Sequence, residues 1–198
     1  MFEENRLLML FAKPVLRSVI NVSNTDISSL SWVINNENQT SKERYVLKSP
    51  EFEHIYDQVY ERVCEYFYGL MQAKSDIEIY ITESWVNKTE KGQSHHKHWH
   101  PNSVLSGVVY LDCDEGSGAI KFKTSHYDMI EYAVDQSNIY NSRSMAILPR
   151  PGDVIIFPSS VEHEVEIYVG DKPRYSLSFN TFIKGNINNT PLMSLGVK

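Results

Sequence analysis

The chain has 198 residues, 41% of them hydrophobic, and a formal net charge of −6. That length and apolar content can bury the core of one large domain, and twelve Tyr, eight Phe and three Trp exclude a disordered chain. The basic residues are scattered, which disfavours a nucleic-acid partner, and two isolated cysteines, Cys64 and Cys113, form no disulfide framework and fit a reducing cytoplasm.

In chain order, the first apolar run is LLMLFA, Leu7 to Ala12, stopped by Lys13-Pro14. It is too short to cross a membrane and has no small-residue cleavage site, so it reads as an early strand and no membrane partner is expected. Asn21 to Tyr45 is the most polar region and reads as loop with at most one short helix. Ser49-Pro50-Glu51 reads as a helix start, with Ser49 as N-cap and Pro50 in the first turn. Phe52, Ile55, Val59, Val63, Phe67 and Leu70 follow at steps of three and four, giving one apolar stripe as far as about Met71. Such a stripe is a packing face, either against the rest of the chain or in a homodimer.

From Asp76 the period changes to two. Ile77, Ile79 and Ile81 share one face, and the short runs VLSGVVYLDC, GAIKF, DVIIFP, VEIYV and RYSLSFNTF follow, separated by Gly, Pro, Asp and Asn. Many short strands after one helix predict an antiparallel sandwich or barrel, and no strand–helix–strand alternation supports a parallel sheet.

Four of the seven histidines, His95, His96, His98 and His100, fall within six positions. In a strand, His98 and His100 project together while Trp99 turns away, and Pro101-Asn102 ends the run. Two neutral imidazoles on one face are half of a transition-metal site, although an isolated pair fits an exposed strand end as well. His163 lies in VEHEVEIYV, where Val161, His163, Val165 and Ile167 alternate with Glu162, Glu164 and Glu166, so it is expected on the inner side. In RYSLSF, Arg174, Ser176 and Ser178 share a face opposite Tyr175, Leu177 and Phe179. A buried Arg is costly without an anion, and a carboxylate gripped by its two-pronged guanidinium removes that cost. A surface ion pair is the other reading of Arg174.

Taken together, His98-x-His100, His163 and Arg174-x-Ser176 resemble the pattern of the Fe(II)- and 2-oxoglutarate-dependent oxygenases, and within them a small family found in bacteria and tailed phages. The segments that carry the resemblance are HWHPNSVLSGVVYL, RPGDVIIFPSSVEHEV and RYSLSFN, in a span from about Trp85 to Phe182. The resemblance implies a mainly β chain with a flanking helix: a double-stranded β-helix, or jelly-roll and cupin-like, barrel with an N-terminal helical segment packed on it. It implies a single domain over 1–198, with strand, loop and helix support in 1–75, the catalytic jelly roll in 76–185 and a tail in 186–198. Fe(II), the cosubstrate 2-oxoglutarate and O2 are the implied cofactors of a hydroxylase that releases succinate and CO2. Its substrate would be a small molecule or a peptide, and its place the cytoplasm (the host's, if the chain is phage-encoded).

Residue by residue, His98, His100 and His163 correspond to the three metal ligands, and Arg174 to the anchor of the distal carboxylate, assisted by Ser176. Asn87 matches a position where relatives bond the cosubstrate, and Asn180 one where some place another polar pocket residue. His100 departs from the pattern, since most of the superfamily has a carboxylate there. Three neutral histidines leave the metal one negative charge short. His95 and His96 remain over: they could support the ligands, touch the substrate or be exposed, and exposure is the first expectation. Two rival functions exist: a cupin-like metal dioxygenase that uses no 2-oxoglutarate, and a non-catalytic jelly-roll binding module. Arg174-x-Ser176 argues against the first, the open three-ligand set against the second.

Overall fold

The computed structural model describes residues 11–35, 37–114, 118–124, 132–187 and 196–197. The strand expected over Leu7–Ala12 lies outside them, apart from Phe11 and Ala12, which belong to no strand.

Among the described residues, twelve strands and one α-helix are formed. They are β1 (Leu16–Val19), β2 (Trp32–Asn35), β3 (Asn38–Ser41), α1 (Glu53–Cys64), β4 (Glu78–Thr89), β5 (His95–His98), β6 (Leu105–Asp112), β7 (Ile120–Lys123), β8 (Ser144–Ile147), β9 (Asp153–Pro158), β10 (His163–Val165), β11 (Arg174–Asn186) and β12 (Gly196–Val197). The larger sheet runs β1-β9-β6-β11-β4-β3-β2, with β12 added to β11, and the smaller runs β5-β10-β7-β8. The strands within each sheet pair antiparallel. The two sheets face each other as the halves of a double-stranded β-helix.

Period-two patterning explains the layers. Along β9, Val154 and Ile156 point to the α1 side, while Ile155 and Phe157 point between the sheets. The larger sheet is therefore covered on both faces, which is why β6 and β9 read as nearly continuous apolar runs. Ile55, Val59 and Val63 of α1 are fully buried against Val109, Ile156 and Leu177 of that sheet. In β6, Gly107 has no room for a side chain, because a Cβ there would drive into the fully buried ring of Phe179 and reach 3.0 Å from the Ile155 carbonyl oxygen.

Several local expectations are corrected. The region Asn21–Tyr45 is not loop: it contains the hairpin β2–β3, which extends the larger sheet beyond β4. Ser49 does not cap α1. It precedes a 3-10 turn at Pro50–Phe52, and its hydroxyl donates to the Val46 carbonyl. The helical stripe holds through Phe67 but fails at Leu70, which is 54% exposed. A π-helical turn over Glu65–Leu70, with the Met71 N–H reaching back to Tyr66, rotates the last residues off the stripe. Ile167 is also exposed, since β10 stops at Val165 and ends the alternation.

Candidate metal centre

The three histidines arrive on two adjoining strands and a turn. His98 ends β5 and pairs directly with His163, which opens β10. His100 lies two residues past the end of β5, and its backbone N–H donates to the Ser159 carbonyl at 3.0 Å. The ligand atoms of all three lie within 4.8 Å of one another, and among the described residues this is the only such group able to hold a metal ion. Trp99 turns outward and is 56% exposed.

Two of the rings are fixed in tautomer. The Nδ1–H of His98 donates to the His96 carbonyl at 2.8 Å, and that of His163 to the Val161 carbonyl at 3.1 Å. Each bond leaves Nε2 unprotonated, with its lone pair free. His100 stacks on His163 at 5.2 Å between centroids and lies 6.3 Å from Trp85 and 6.5 Å from Phe157. Burial depresses all three: His163 is pushed down to about 3, His100 to about 4, and His98 below its ordinary value. Neutral imidazoles at physiological pH are what a cationic metal requires.

A buried cation faces the same cavity. Arg174, at the start of β11, is 2% exposed, and burial lowers its pKa. One nitrogen donates to the Gly118 carbonyl at 3.0 Å, and the guanidinium carbon lies 5.1 Å from the centre of the Tyr168 ring. Among the described residues its Nε has no partner and it makes no ion pair. A dry guanidinium without a carboxylate is a strong demand for an anionic ligand. Ser176, Ser178, Asn87, Thr89 and Tyr110 line the same space. Asn87 donates from Nδ2 to the Ser178 hydroxyl at 3.0 Å and leaves Oδ1 without a partner. Three imidazole lone pairs and an unanswered guanidinium in one cavity fit a divalent metal with a carboxylate cosubstrate.

Other residues from the sequence fall elsewhere. Asn180 does not line the cavity. Its Oδ1 accepts from the Ser106 hydroxyl at 2.7 Å and its Nδ2 donates to Glu83 at 2.8 Å, so both polar atoms are spent in a buried network. That network continues through Ser159 to Ser103 and braces the turn that carries His100. Of the readings open for His95, exposure does not hold: it lines the cavity, and burial pushes it down to about 4. His96 is exposed. Asp112 is exposed, and Asp114 accepts N–H bonds from Asp171 and Lys172, so neither serves as a substitute ligand. Sequence reasoning missed Asn38, Thr89 and Tyr110; the strand alternation of β4 and β6 carries the signal for the last two.

A family described as "Putative 2OG-Fe(II) oxygenase" matches residues 83–180. Comparison with the curated proteins finds no match. Among solved structures, a 2OG-Fe(II) oxygenase family oxidoreductase from Burkholderia pseudomallei is 17% identical at a TM-score of 0.56, covering 78% of this chain and 72% of that one. A prolyl-4-hydroxylase from Pseudomonas putida is 15% identical at 0.56, covering 87% and 94%. HygX from Streptomyces hygroscopicus, solved with nickel and 2-oxoglutarate bound, is 10% identical at 0.57, covering 85% and 82%. At these identities the structures carry the fold, the double-stranded β-helix, and the matched segment carries the kinship. By residues 83–180, which hold the three histidines and Arg174, the chain belongs to the 2OG-Fe(II) oxygenase family, whose members use Fe(II), 2-oxoglutarate and O2.

Proposed function

We propose that the protein hydroxylates its substrate with His98, His100 and His163 holding Fe(II) and with Arg174, helped by Ser176, holding the distal carboxylate of 2-oxoglutarate. The observation that carries this reading is the guanidinium of Arg174, 2% exposed in the cavity of the triad and without an ion pair among the described residues. When bound, Fe(II) with 2-oxoglutarate and O2 supplies the oxidising chemistry, in which the cosubstrate is decarboxylated to succinate and a substrate C–H is hydroxylated.

The protein's own part is to bind, orient and exclude water. The carbonyls of His96 and Val161 hold two rings with Nε2 toward the metal position. Gly118 and Tyr168 hold the Arg174 fork before any ligand arrives, so little side-chain freedom is lost on binding. Phe122 and Phe157, in edge contact at 5.0 Å, wall the triad with apolar surface. The proposed substrate is a small molecule or a peptide, since a net charge of −6 with scattered basic residues disfavours nucleic acid. Two free cysteines are in keeping with a cytoplasmic setting, and among the described residues no helix is long and apolar enough to cross a membrane.

A cupin-like dioxygenase that ignores 2-oxoglutarate has no use for a buried Arg174. The deciding experiment is anaerobic loading with Fe(II) and 2-oxoglutarate, followed by O2 and measurement of succinate without added substrate. Wild type is expected to form succinate slowly, and His163→Ala to form none. A protein that binds iron but neither binds nor consumes 2-oxoglutarate would move the assignment to the cupin-like rival.

A further inference from the structure

Four buried side-chain polar atoms lack a partner among the described residues: Asn38 Oδ1, Asn87 Oδ1, Thr89 Oγ1 and Arg174 Nε. All four residues line the cavity of the histidine triad. Buried polar atoms are nearly always paired, and an orphan costs about 1–3 kcal/mol. Four orphans gathered in one cavity mark it as built around a polar ligand. Three of them sit on β4 and β11. The fourth, Asn38, opens β3 in the N-terminal hairpin, outside the residues that carry the family match.

The sheet register explains the grouping. Arg174 pairs with Thr89 across β11 and β4. β3 pairs with β4 through Gln39–Lys88 and Thr40–Asn87, and the same register carried one residue further sets Asn38 beside Thr89. Asn38, Thr89 and Arg174 thus form one row across three neighbouring strands, at 4%, 1% and 2% exposure. Neighbours in such a row stand about 5 Å apart, so their side chains can reach one small ligand group between them.

We infer that Asn38 is a third arm of the carboxylate clamp: its amide donates to the same ligand carboxylate that Arg174 grips and the Thr89 hydroxyl bonds. The inference rests on the Arg174 clamp proposed above. A half-turn of the amide puts nitrogen where the unpartnered oxygen lies, and the two orientations differ only in which bonds they make. The binding site therefore includes the N-terminal hairpin. Glu37, next to Asn38, accepts from the Ser94 hydroxyl at 3.0 Å and ties the hairpin to the start of β5 from outside. A ligand held by Asn38 ties it from inside as well.

The test is titration of 2-oxoglutarate into the full chain loaded with Ni(II), comparing wild type, Asn38→Ala, Asn38→Asp and Arg174→Ala. Asn38→Ala is expected to weaken 2-oxoglutarate by about tenfold or more, the value of one hydrogen bond to a charged group. Asn38→Asp should weaken it further, because a second carboxylate then faces that of the ligand, and Ni(II) affinity should be the same in all four proteins. Amide hydrogen exchange over residues 32–41 should slow when 2-oxoglutarate is added to wild type and stay unchanged in Asn38→Ala. Wild-type affinity in Asn38→Ala beside a weakened Arg174→Ala overturns the inference and leaves the clamp standing. Wild-type affinity in both overturns the clamp, and the inference with it. Should Asn38→Ala not fold, the near-isosteric Asn38→Asp carries the comparison, and wild-type affinity there overturns the inference equally.

Discussion

His98 and His163 are braced in the same way: paired across β5 and β10 with ring centroids 4.3 Å apart, each donates Nδ1–H to the carbonyl two residues before it. The pair presents two Nε2 lone pairs from a shared backbone frame, so its geometry is set by the sheet. His100 has no such brace and depends on its backbone bond to Ser159 and on its neighbouring rings.

All three histidines are needed to complete the set. His98→Ala and His163→Ala should each abolish stoichiometric Fe(II) or Ni(II) binding, because a single remaining strand histidine with His100 makes an incomplete set. His100→Ala should do the same, whereas His100→Asp should retain one equivalent of metal, since a carboxylate oxygen replaces the imidazole and adds a negative charge at the cation. Calorimetric metal titration of the four purified variants reads the result directly.

Arg174→Ala should weaken 2-oxoglutarate binding by roughly 2–5 kcal/mol, the usual cost of removing one member of a buried charged pair. Arg174→Lys should recover only part of that loss, because an ammonium keeps the charge but not the planar fork. Metal affinity should change little in either variant. Titration of 2-oxoglutarate into Ni(II)-loaded protein distinguishes these outcomes.

The histidine cluster also fixes how acid acts on the metal-free protein. An unfolded chain takes up protons on its histidines near their ordinary value of 6.5, but burial holds His95 and His100 down to about 4 and His163 to about 3 in the folded state. The unfolded state therefore binds more protons than the folded state between those limits, and stability falls as pH drops below 6.5. Thermal unfolding of metal-free protein should show Tm constant above about pH 7 and declining from pH 6.5 toward 4. Metal-free His163→Gln should decline less steeply.

Much of the barrel is legible in the sequence because its inward faces are apolar. Ile79 and Ile81 of β4 and Val154 to Phe157 of β9 announce themselves by period and composition. The β2–β3 hairpin does not, because the buried residues of β3, Asn38, Thr40 and Ser41, are polar, and Asn38 lines the cavity. Polar residues facing a ligand space look like loop to any reading that equates burial with hydrophobicity. The spacing of His98 and His100 and the alternation at His163 are legible, and the resemblance to the oxygenase pattern joins them into a triad, whereas the place of His95 inside the cavity and the diversion of Asn180 into the Ser106–Glu83 network depend on contacts between distant strands.

Gly107→Ala is expected to destabilise the fold by about 1–3 kcal/mol, the range for overpacking a dense core. The added methyl would meet the Phe179 ring on the α1 side of the sheet. Chemical denaturation should show a lower midpoint with an unchanged slope, and Phe179→Leu introduced alongside should recover part of the loss by making room.

The guanidinium of Arg174, which has no ion pair among the described residues, makes the protein's persistence conditional on its surroundings. A cation sealed from water costs folding free energy that an anionic ligand returns. By mass action, a ligand present at one hundred times its dissociation constant adds about 2.7 kcal/mol to stability, a large share of what holds an ordinary domain together. A cell rich in the cosubstrate would keep the chain folded and out of reach of proteases, while a depleted cell would lose the protein along with its fuel. Abundance and activity would then answer to the same metabolite.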